Sequence, residues 1–471
     1  MRVAVLLVLA ACGDNVGVDD PSEPPIVARC NETELANELA AAPGVISVRP
    51  ATCGEYVAGP ARCFNISIKQ PTHHDMPGKS FDQELWLVHR GCDRPTIVAD
   101  WGYSQQVFFD DELSVLFGAN TLWIEHRYQG ASVPAEWDWS ALTIANGAAD
   151  MHAVIDAFKH VYGGRWVSTG ASKGGITATY HSYFYPQDLD GAVPYVAPAS
   201  RARIDPLYQW HLDTTLTQAC AQRVREAQIA ALTTRRSMML AHLTPIAGAG
   251  WEPTYLEMIT AGFDWGFWQY YGTRYCHLVP TAGTSDDAFW SFYSSFSGIA
   301  SPGAPQLADG ALEYEWLTEQ GYALVIGSHV APLLHDAYAT ESLEDEFRRH
   351  FPEVDLPPYD GSITRSVRHW VAEHAENMLF IYGQYDPWSG GAVDAPTRPS
   401  SARFFVPAAN HSATIGGLDS VERGQALAIA ARFFGESPQL PRMARAQEAA
   451  ATRSEVLAEE RLRRSLPPSD L

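Results

Sequence analysis

Apolar and polar residues alternate from Phe64 to Gln70 and again from Phe81 to Val88, the period-two pattern of half-buried antiparallel strands. Two further segments, Thr96 to Ala99 and Thr121 to Glu125, have the apolar character that suits interior parallel strands covered on both faces. Asn146 to His160 then carries apolar residues at helical spacing, and Trp166-Val167-Ser168-Thr169-Gly170 follows as a short strand ending in glycine. Gly191 to Pro198 is another strand candidate. Strands alternating with helices in this way predict a mostly parallel sheet with helices on both faces.

From about Ala199 to Glu376 the sheet rhythm stops. The stretch reads as largely helical and concentrates aromatic residues at Phe263, Trp265, Phe267, Trp268, Tyr270 and Tyr271, then at Phe289, Trp290, Phe292 and Tyr293. The rhythm resumes at Met378 to Tyr382 and at Arg403 to Val406. This interruption predicts a core over 30–198 and 377–437, with a helical cap, 199–376, inserted ahead of the strand at Met378. The tail, 438–471, reads as an exposed helix or as disorder. The chain contains no internal repeat.

The amino-terminal pattern speaks to compartment. Arg2 precedes an apolar run from Val3 to Ala11, shorter than the roughly 20 residues a membrane span needs. It fits the apolar stretch of an export signal over 1–11. Leu9-Ala10-Ala11-Cys12-Gly13 looks like a bacterial lipobox, which makes Cys12 a lipidation candidate and 12–29 a flexible tether. An ordinary cleaved signal with an incidental cysteine is the alternative. Setting Cys12 aside, six of the 7 cysteines remain, an even number as expected for disulfides in an oxidising compartment. The expected pairing is Cys220–Cys276 within the insertion, with Cys30, Cys53, Cys63 and Cys92 pairing among themselves. No C-x-x-C pair or thiolate cluster is present, so no metal site is expected.

Composition adds little beyond this. A formal net charge of −22 disfavours a nucleic acid partner and adsorption to anionic lipid, leaving the anchor at Cys12 as the one expected membrane contact. A hydrophobic content of 46% allows a sizeable core, and 14 Trp with 20 Tyr suggest aromatic-lined cavities.

The chemistry is concentrated at Gly170-Ala171-Ser172-Lys173-Gly174, a G-x-S-x-G motif between a predicted strand and a predicted helix. Such a motif places a nucleophilic serine on a sharp turn that its glycines make sterically possible, as in the α/β-hydrolase fold. Serine is a weak nucleophile without a base, and the base needs an orienting acid. In the order expected for that fold both follow late strands. Asp386 stands just beyond Met378 to Tyr382, and His411 just beyond Arg403 to Val406. Asp394 lies further into a loop, His374 precedes its strand, and His126 falls before the serine; each is the weaker candidate. The N–H of Lys173 is the expected first oxyanion donor, and Gly102 or Tyr103 the second. No cofactor is needed for this chemistry.

A family resemblance then becomes visible in Glu125-His126-Arg127-Tyr128, Ala157-Phe158-Lys159, Trp166 to Gly175, Phe184-Tyr185-Pro186 and Tyr195-Val196-Ala197-Pro198. His89-Arg90-Gly91, Asp93-Arg94-Pro95 and Phe267-Trp268-Gln269-Tyr270 extend it, over roughly residues 60–435. The chain resembles the secreted bacterial S37 serine peptidases, prolyl-type tripeptidyl aminopeptidases distantly related to the prolyl-carboxypeptidase family. The resemblance implies an α/β-hydrolase fold with Ser172, Asp386 and His411 as its serine, aspartate and histidine. It further implies peptide substrates cleaved from a free N-terminus, with proline before the scissile bond; an esterase or lipase of the same fold, or a non-catalytic peptide-binding lipoprotein, is the competing reading. Aromatic cap residues such as Trp265 and Trp268 would stack on the proline ring, and a carboxylate would meet the substrate ammonium. Glu125 is the first candidate for that carboxylate; a buried Glu125–Arg127 pair is the competing reading. The family more often carries an acidic residue directly before the Gly-Tyr turn, where this chain has Trp101, which joins the substrate-binding candidates.

Overall fold

The computed structural model describes residues 28–76, 78–216, 218–296, 307–336 and 341–447. The expected signal over 1–11, Cys12 and nearly all of the tether lie outside these residues, as does the end of the tail. Among the described residues no helix is long and apolar enough to cross a membrane.

Among the described residues nine strands form one sheet: β1 (Val45–Ala51), β2 (Arg62–Pro71), β3 (Ser80–His89), β4 (Thr96–Asp100), β5 (Asn120–Ile124), β6 (Trp166–Ala171), β7 (Gly191–Tyr195), β8 (Leu379–Gly383) and β9 (Ala402–Val406). Their order is β1-β2-β3-β5-β4-β6-β7-β8-β9. β1, β2, β3 and β5 pair antiparallel, and every pairing from β5 to β9 is parallel. Parallel neighbours require crossover connections, and helices supply them. The first four helices are α1 (Leu35–Ala40), α2 (Glu112–Phe117), α3 (Ile144–Lys159) and α4 (Lys173–Phe184).

The insertion carries α5 (Leu207–Thr214), α6 (Gln218–Leu232), α7 (Arg236–Ala247), α8 (Glu252–Ala261), α9 (Phe263–Tyr270), α10 (Asp286–Phe296), α11 (Leu307–Glu315) and α12 (Leu343–His350). It is followed by α13 (Ser362–Glu373), and α14 (Ser420–Phe434) comes after β9. Alternation along β8 sends Leu379 and Ile381 to the face covered by α2 and α14, and Phe380 and Tyr382 to the face covered by α4 and α13. Both faces are therefore apolar, which explains why the central strands show runs rather than alternation.

Helices α5 to α10 pack around an apolar centre of their own, with Leu256, Phe263, Phe267 and Tyr293 buried inside it. Helices α11 and α12 instead lie on the core, where Tyr314, Leu317 and Phe347 join Tyr128 and Leu142 in one cluster. Helix α13 belongs to the sheet: Val367 and Val371 pack with Phe380 and Tyr382. The core thus resumes at α13 and not at residue 377, because a parallel β7–β8 pair needs a crossover helix whose periodicity resembles that of any cap helix. The described part of the tail, 438–447, is mostly exposed, held by Gln439 N–H donating to Leu116 C=O at 2.8 Å and by the buried Ala446.

Among the described residues three disulfides are formed, Cys30–Cys92, Cys53–Cys63 and Cys220–Cys276. The last ties α6 to the turn after α9. The four earlier cysteines pair among themselves.

Candidate active site

Ser172 sits between β6 and α4 with φ 55° and ψ −124°, a left-handed backbone that costs energy in any residue but glycine. The neighbouring glycines make the turn possible. A Cβ on Gly170 would stand 2.3 Å from Gly174 C=O, and one on Gly174 would stand 2.8 Å from Asp100 C=O. Ser172 N–H donates to Tyr195 C=O at 3.0 Å, which fixes the turn against β7. Lys173 supplies the first N–H of α4, at the positive end of the helix.

Asp386 follows β8 and is fully buried. One carboxylate oxygen accepts from Trp388 N–H at 3.1 Å, and the other meets His411 Nδ1 at 2.7 Å. His411 Nε2 has no hydrogen-bond partner among the described residues, and both His411 and Ser172 line one cavity of about 500 Å3. Asp394 is turned to Arg368 and Arg201 instead.

The cap holds the histidine in place. His411 N–H donates to Gln269 C=O at 3.0 Å, and Asn410 Nδ2 donates to Tyr270 C=O at 2.8 Å, both acceptors on α9. The same helix presents Trp265 to the cavity, where it packs edge-on against Trp388 and Tyr208. Trp268, expected beside it, points the other way: it is buried in the cap and packs against Phe267 and Tyr385. Residues on one short helix that are three apart need not share an environment when both sides of the helix are covered.

Three other expectations are corrected by the packing. Trp101 is buried against Phe109 and Trp123, away from the cavity. Glu125 is buried as well, and its carboxylate accepts from the N–H groups of Gln105, Ala131 and Ser132 and from the Ser132 hydroxyl. Burial pushes its carboxyl up, against those hydrogen bonds. It stitches two loops together and does not line the cavity. Nor does it pair with Arg127, which is held by Asp150 at 2.7 and 2.8 Å. Gly102 has φ 80°, but its N–H donates to Asp100 Oδ1 at 2.8 Å, so it is not aimed at a substrate oxygen. Tyr103 is the member of that turn that lines the cavity.

The cavity wall contains carboxylates that the sequence did not single out. Glu341 and Glu346 line it from the segment around α12. Glu341 is paired with Arg349 at 2.7 Å, whereas Glu346 makes no salt bridge among the described residues. Nearby, burial first and then the carboxylates of Glu346 and Asp309 push the Glu313 carboxyl up to about 8.

A serine in a left-handed strand–helix turn, under an inserted cap and on a sheet of this order, defines a hydrolase of the α/β-hydrolase fold. Residues 33–464 match PS-10 peptidase S37. The chain belongs to that family, and is accordingly a peptidase. A relative, the prolyl tri/tetrapeptidyl aminopeptidase of Streptomyces mobaraensis, is 31% identical over 403 residues, covering 80% of this chain and 81% of the relative. Similar solved structures include the proline iminopeptidase of Mycobacterium smegmatis, 14% identical with a TM-score of 0.34 over 78% of this chain and 99% of that one. An α/β fold family hydrolase from Bacillus anthracis str. Sterne is 12% identical, with a TM-score of 0.34 over the same shares.

Proposed function

We propose that this protein is a serine exopeptidase that releases tripeptides or tetrapeptides from free N-termini, with proline preferred before the scissile bond. The observation that carries the chemistry is His411: its Nδ1 is held by Asp386 while its Nε2, without a hydrogen-bond partner among the described residues, shares a cavity with Ser172. Ser172 Oγ attacks the scissile carbonyl as His411 Nε2 takes its proton. The Lys173 N–H, with an N–H of the Tyr103 turn, stabilises the oxyanion. The imidazolium returns the proton to the leaving amine, and an acyl-enzyme remains on Ser172. Water, deprotonated by the same nitrogen, then releases the peptide. Asp386 holds His411 in the tautomer and orientation this requires.

Substrate features follow the wall. Trp265, Trp388 and Tyr208 offer apolar faces to a proline ring. Glu346 offers a carboxylate to the N-terminal ammonium, the role that Glu125 does not fill. A cavity of about 500 Å3 suits a short peptide rather than a folded chain. The name of the Streptomyces relative supports the same substrate class. The three disulfides support export, and the Leu9 to Gly13 pattern supports lipidation at Cys12; a Cys12→Ser variant is expected to move from the membrane fraction to the soluble one.

The test is mass spectrometry of products from proline-containing peptides with free and with acetylated N-termini. Release of tripeptides or tetrapeptides from the free peptides is expected, with only weak release from the acetylated set. Cleavage of both sets at internal sites overturns the exopeptidase reading, and turnover of p-nitrophenyl esters with no peptide turnover removes the peptidase chemistry proposed for Ser172.

A further inference from the structure

The Lys173 side chain does not follow its backbone toward the substrate. Its ammonium turns inward to Glu315, at the end of α11, and stands 3.2 Å from His126 Nε2. His126 in turn meets Asp100 through Nδ1 at 2.9 Å and Glu315 Oε1 through Nε2 at 3.2 Å. None of the four side chains is more than 4% exposed. Two carboxylates face an ammonium and an imidazole, so the cluster is neutral when the imidazole is charged. Burial works against that charge, yet Asp100 and Glu315 outweigh it and raise the His126 pKa despite Lys173. Burial likewise opposes the Glu315 charge, but Lys173 and His126 hold its carboxyl down at about 2.

The placement of these four residues is informative. Lys173 follows the serine directly. Asp100 ends β4 and, besides His126, holds the N–H of Gly102 at the start of the Gly102-Tyr103 turn. His126 follows β5, and its own N–H donates to Tyr103 C=O at 3.2 Å. One network therefore grips both backbone segments that border the expected oxyanion position. Only Glu315 comes from the insertion. It is followed at once by a π-helical turn, Trp316–Gln320, whose Trp316 and Gln320 line the cavity. Turns of that kind are rare and recur at functional sites. Gln320 Nε2 also reaches Glu315 Oε2, at 3.3 Å.

A main-chain N–H has no rotamer of its own, so its aim is set by whatever fixes the backbone. Here the preceding residue is strained, and a strained backbone persists only where its surroundings over-determine it. We propose that Glu315 is a positioning residue for the oxyanion hole, acting from the cap by anchoring Lys173 directly and the Gly102-Tyr103 turn through His126 and Asp100. The proposal rests on Ser172 being the nucleophile. Glu315 touches no reacting atom; it sets where two N–H donors point. Their benefit is realised at the oxyanion, so the loss on removing Glu315 falls on kcat rather than on KM.

The experiment compares the wild type with Glu315→Gln and with the double variant Lys173→Met/Glu315→Leu, which removes both charges together and leaves no buried ion uncompensated. Melting temperature, kcat and KM on a prolyl tripeptide chromogenic substrate, and the rate of Ser172 labelling by a fluorophosphonate are measured for each. Expected in the folded variants are a kcat lower by about 10–100-fold, a KM close to wild type and labelling slowed in parallel. The double variant decides the matter if Glu315→Gln does not fold. Wild-type kcat and labelling in a folded variant overturn the proposal. So does a loss confined to KM, or one that vanishes in the double variant as its melting temperature recovers. Failure of the wild type itself to label removes instead the assignment of Ser172.

Discussion

Asp386 Oδ2 lies 2.7 Å from His411 Nδ1, joining the loop after β8 to the loop after β9 across 25 residues of chain. The carboxylate is fully buried and its other oxygen is occupied by Trp388 N–H. This pair has one geometry available to it. The imidazole must carry its proton on Nδ1 in the neutral form, which leaves Nε2 as the basic nitrogen. Replacement of Asp386 by Asn keeps the shape but lets the wrong tautomer form. A loss of kcat on the order of 10^4-fold is expected for Asp386→Asn, with little change in melting temperature. Steady-state hydrolysis of a prolyl tripeptide substrate checks this, and a loss under tenfold in a folded variant contradicts the assigned role.

Recognition of the free amine is expected to depend on Glu346, the cavity-lining carboxylate with no salt bridge among the described residues. Glu346→Gln keeps the volume and removes the charge. KM for free tripeptide substrates is expected to rise about 10–100-fold, the range of one partly desolvated ion pair, with kcat changed far less. Weak activity on N-acetylated analogues, which carry no ammonium, is expected to be unaffected. Equal losses on both substrate sets would move the amine site elsewhere on the wall.

The sequence makes part of this fold and site legible. That Ser172, Asp386 and His411 each follow a strand is legible, because strand ends can be located from apolar runs followed by glycine or turn residues. Sequence does not say which way a side chain faces once the strand has ended. Trp101 and Glu125 stand just past β4 and β5; Trp101 packs back on the sheet against Trp123, and Glu125 is taken up by loop N–H groups. Glu315 and Glu346 left no signal: they come from the insertion, and Glu315 meets Lys173 across 142 residues of chain. The sequence does not mark α13 as part of the core for a related reason, since a crossover helix and a cap helix carry the same periodicity.

The cap disulfide is expected to matter for catalysis as well as for stability. Cys220–Cys276 fixes α6 to the turn that follows α9, and α9 carbonyls hold the backbone of His411 and the side chain of Asn410. The double variant Cys220→Ala/Cys276→Ala is expected to lose about 2–4 kcal/mol, read as a lower midpoint in denaturant. Well below that midpoint kcat is expected to fall several-fold, because the His411 loop has lost part of its support. An unchanged kcat there would mean that α9 holds its place through the aromatic cluster alone.

Glu313 yields a prediction whose sign can be worked out. Its folded-state pKa is raised to about 8, by burial first and then by Glu346 and Asp309, and one of its oxygens is buried without a hydrogen-bond partner among the described residues. A carboxyl raised in this way binds its proton more tightly folded than unfolded. Its effect is therefore neutral below the ordinary carboxylate range, and the protein loses stability as pH rises from there toward 8. Above 8 the full penalty applies. Glu313→Gln has a similar shape and never ionises, so it escapes the penalty. The variant is expected to match the wild type in melting temperature near pH 4 and to exceed it by several degrees at pH 8.5, the gap opening across the interval between. Scanning calorimetry over that range is the measurement. A constant offset at all pH values would show that Glu313 acts through packing and not through its charge, and a gap that closed with rising pH would reverse the sign assigned to its surroundings.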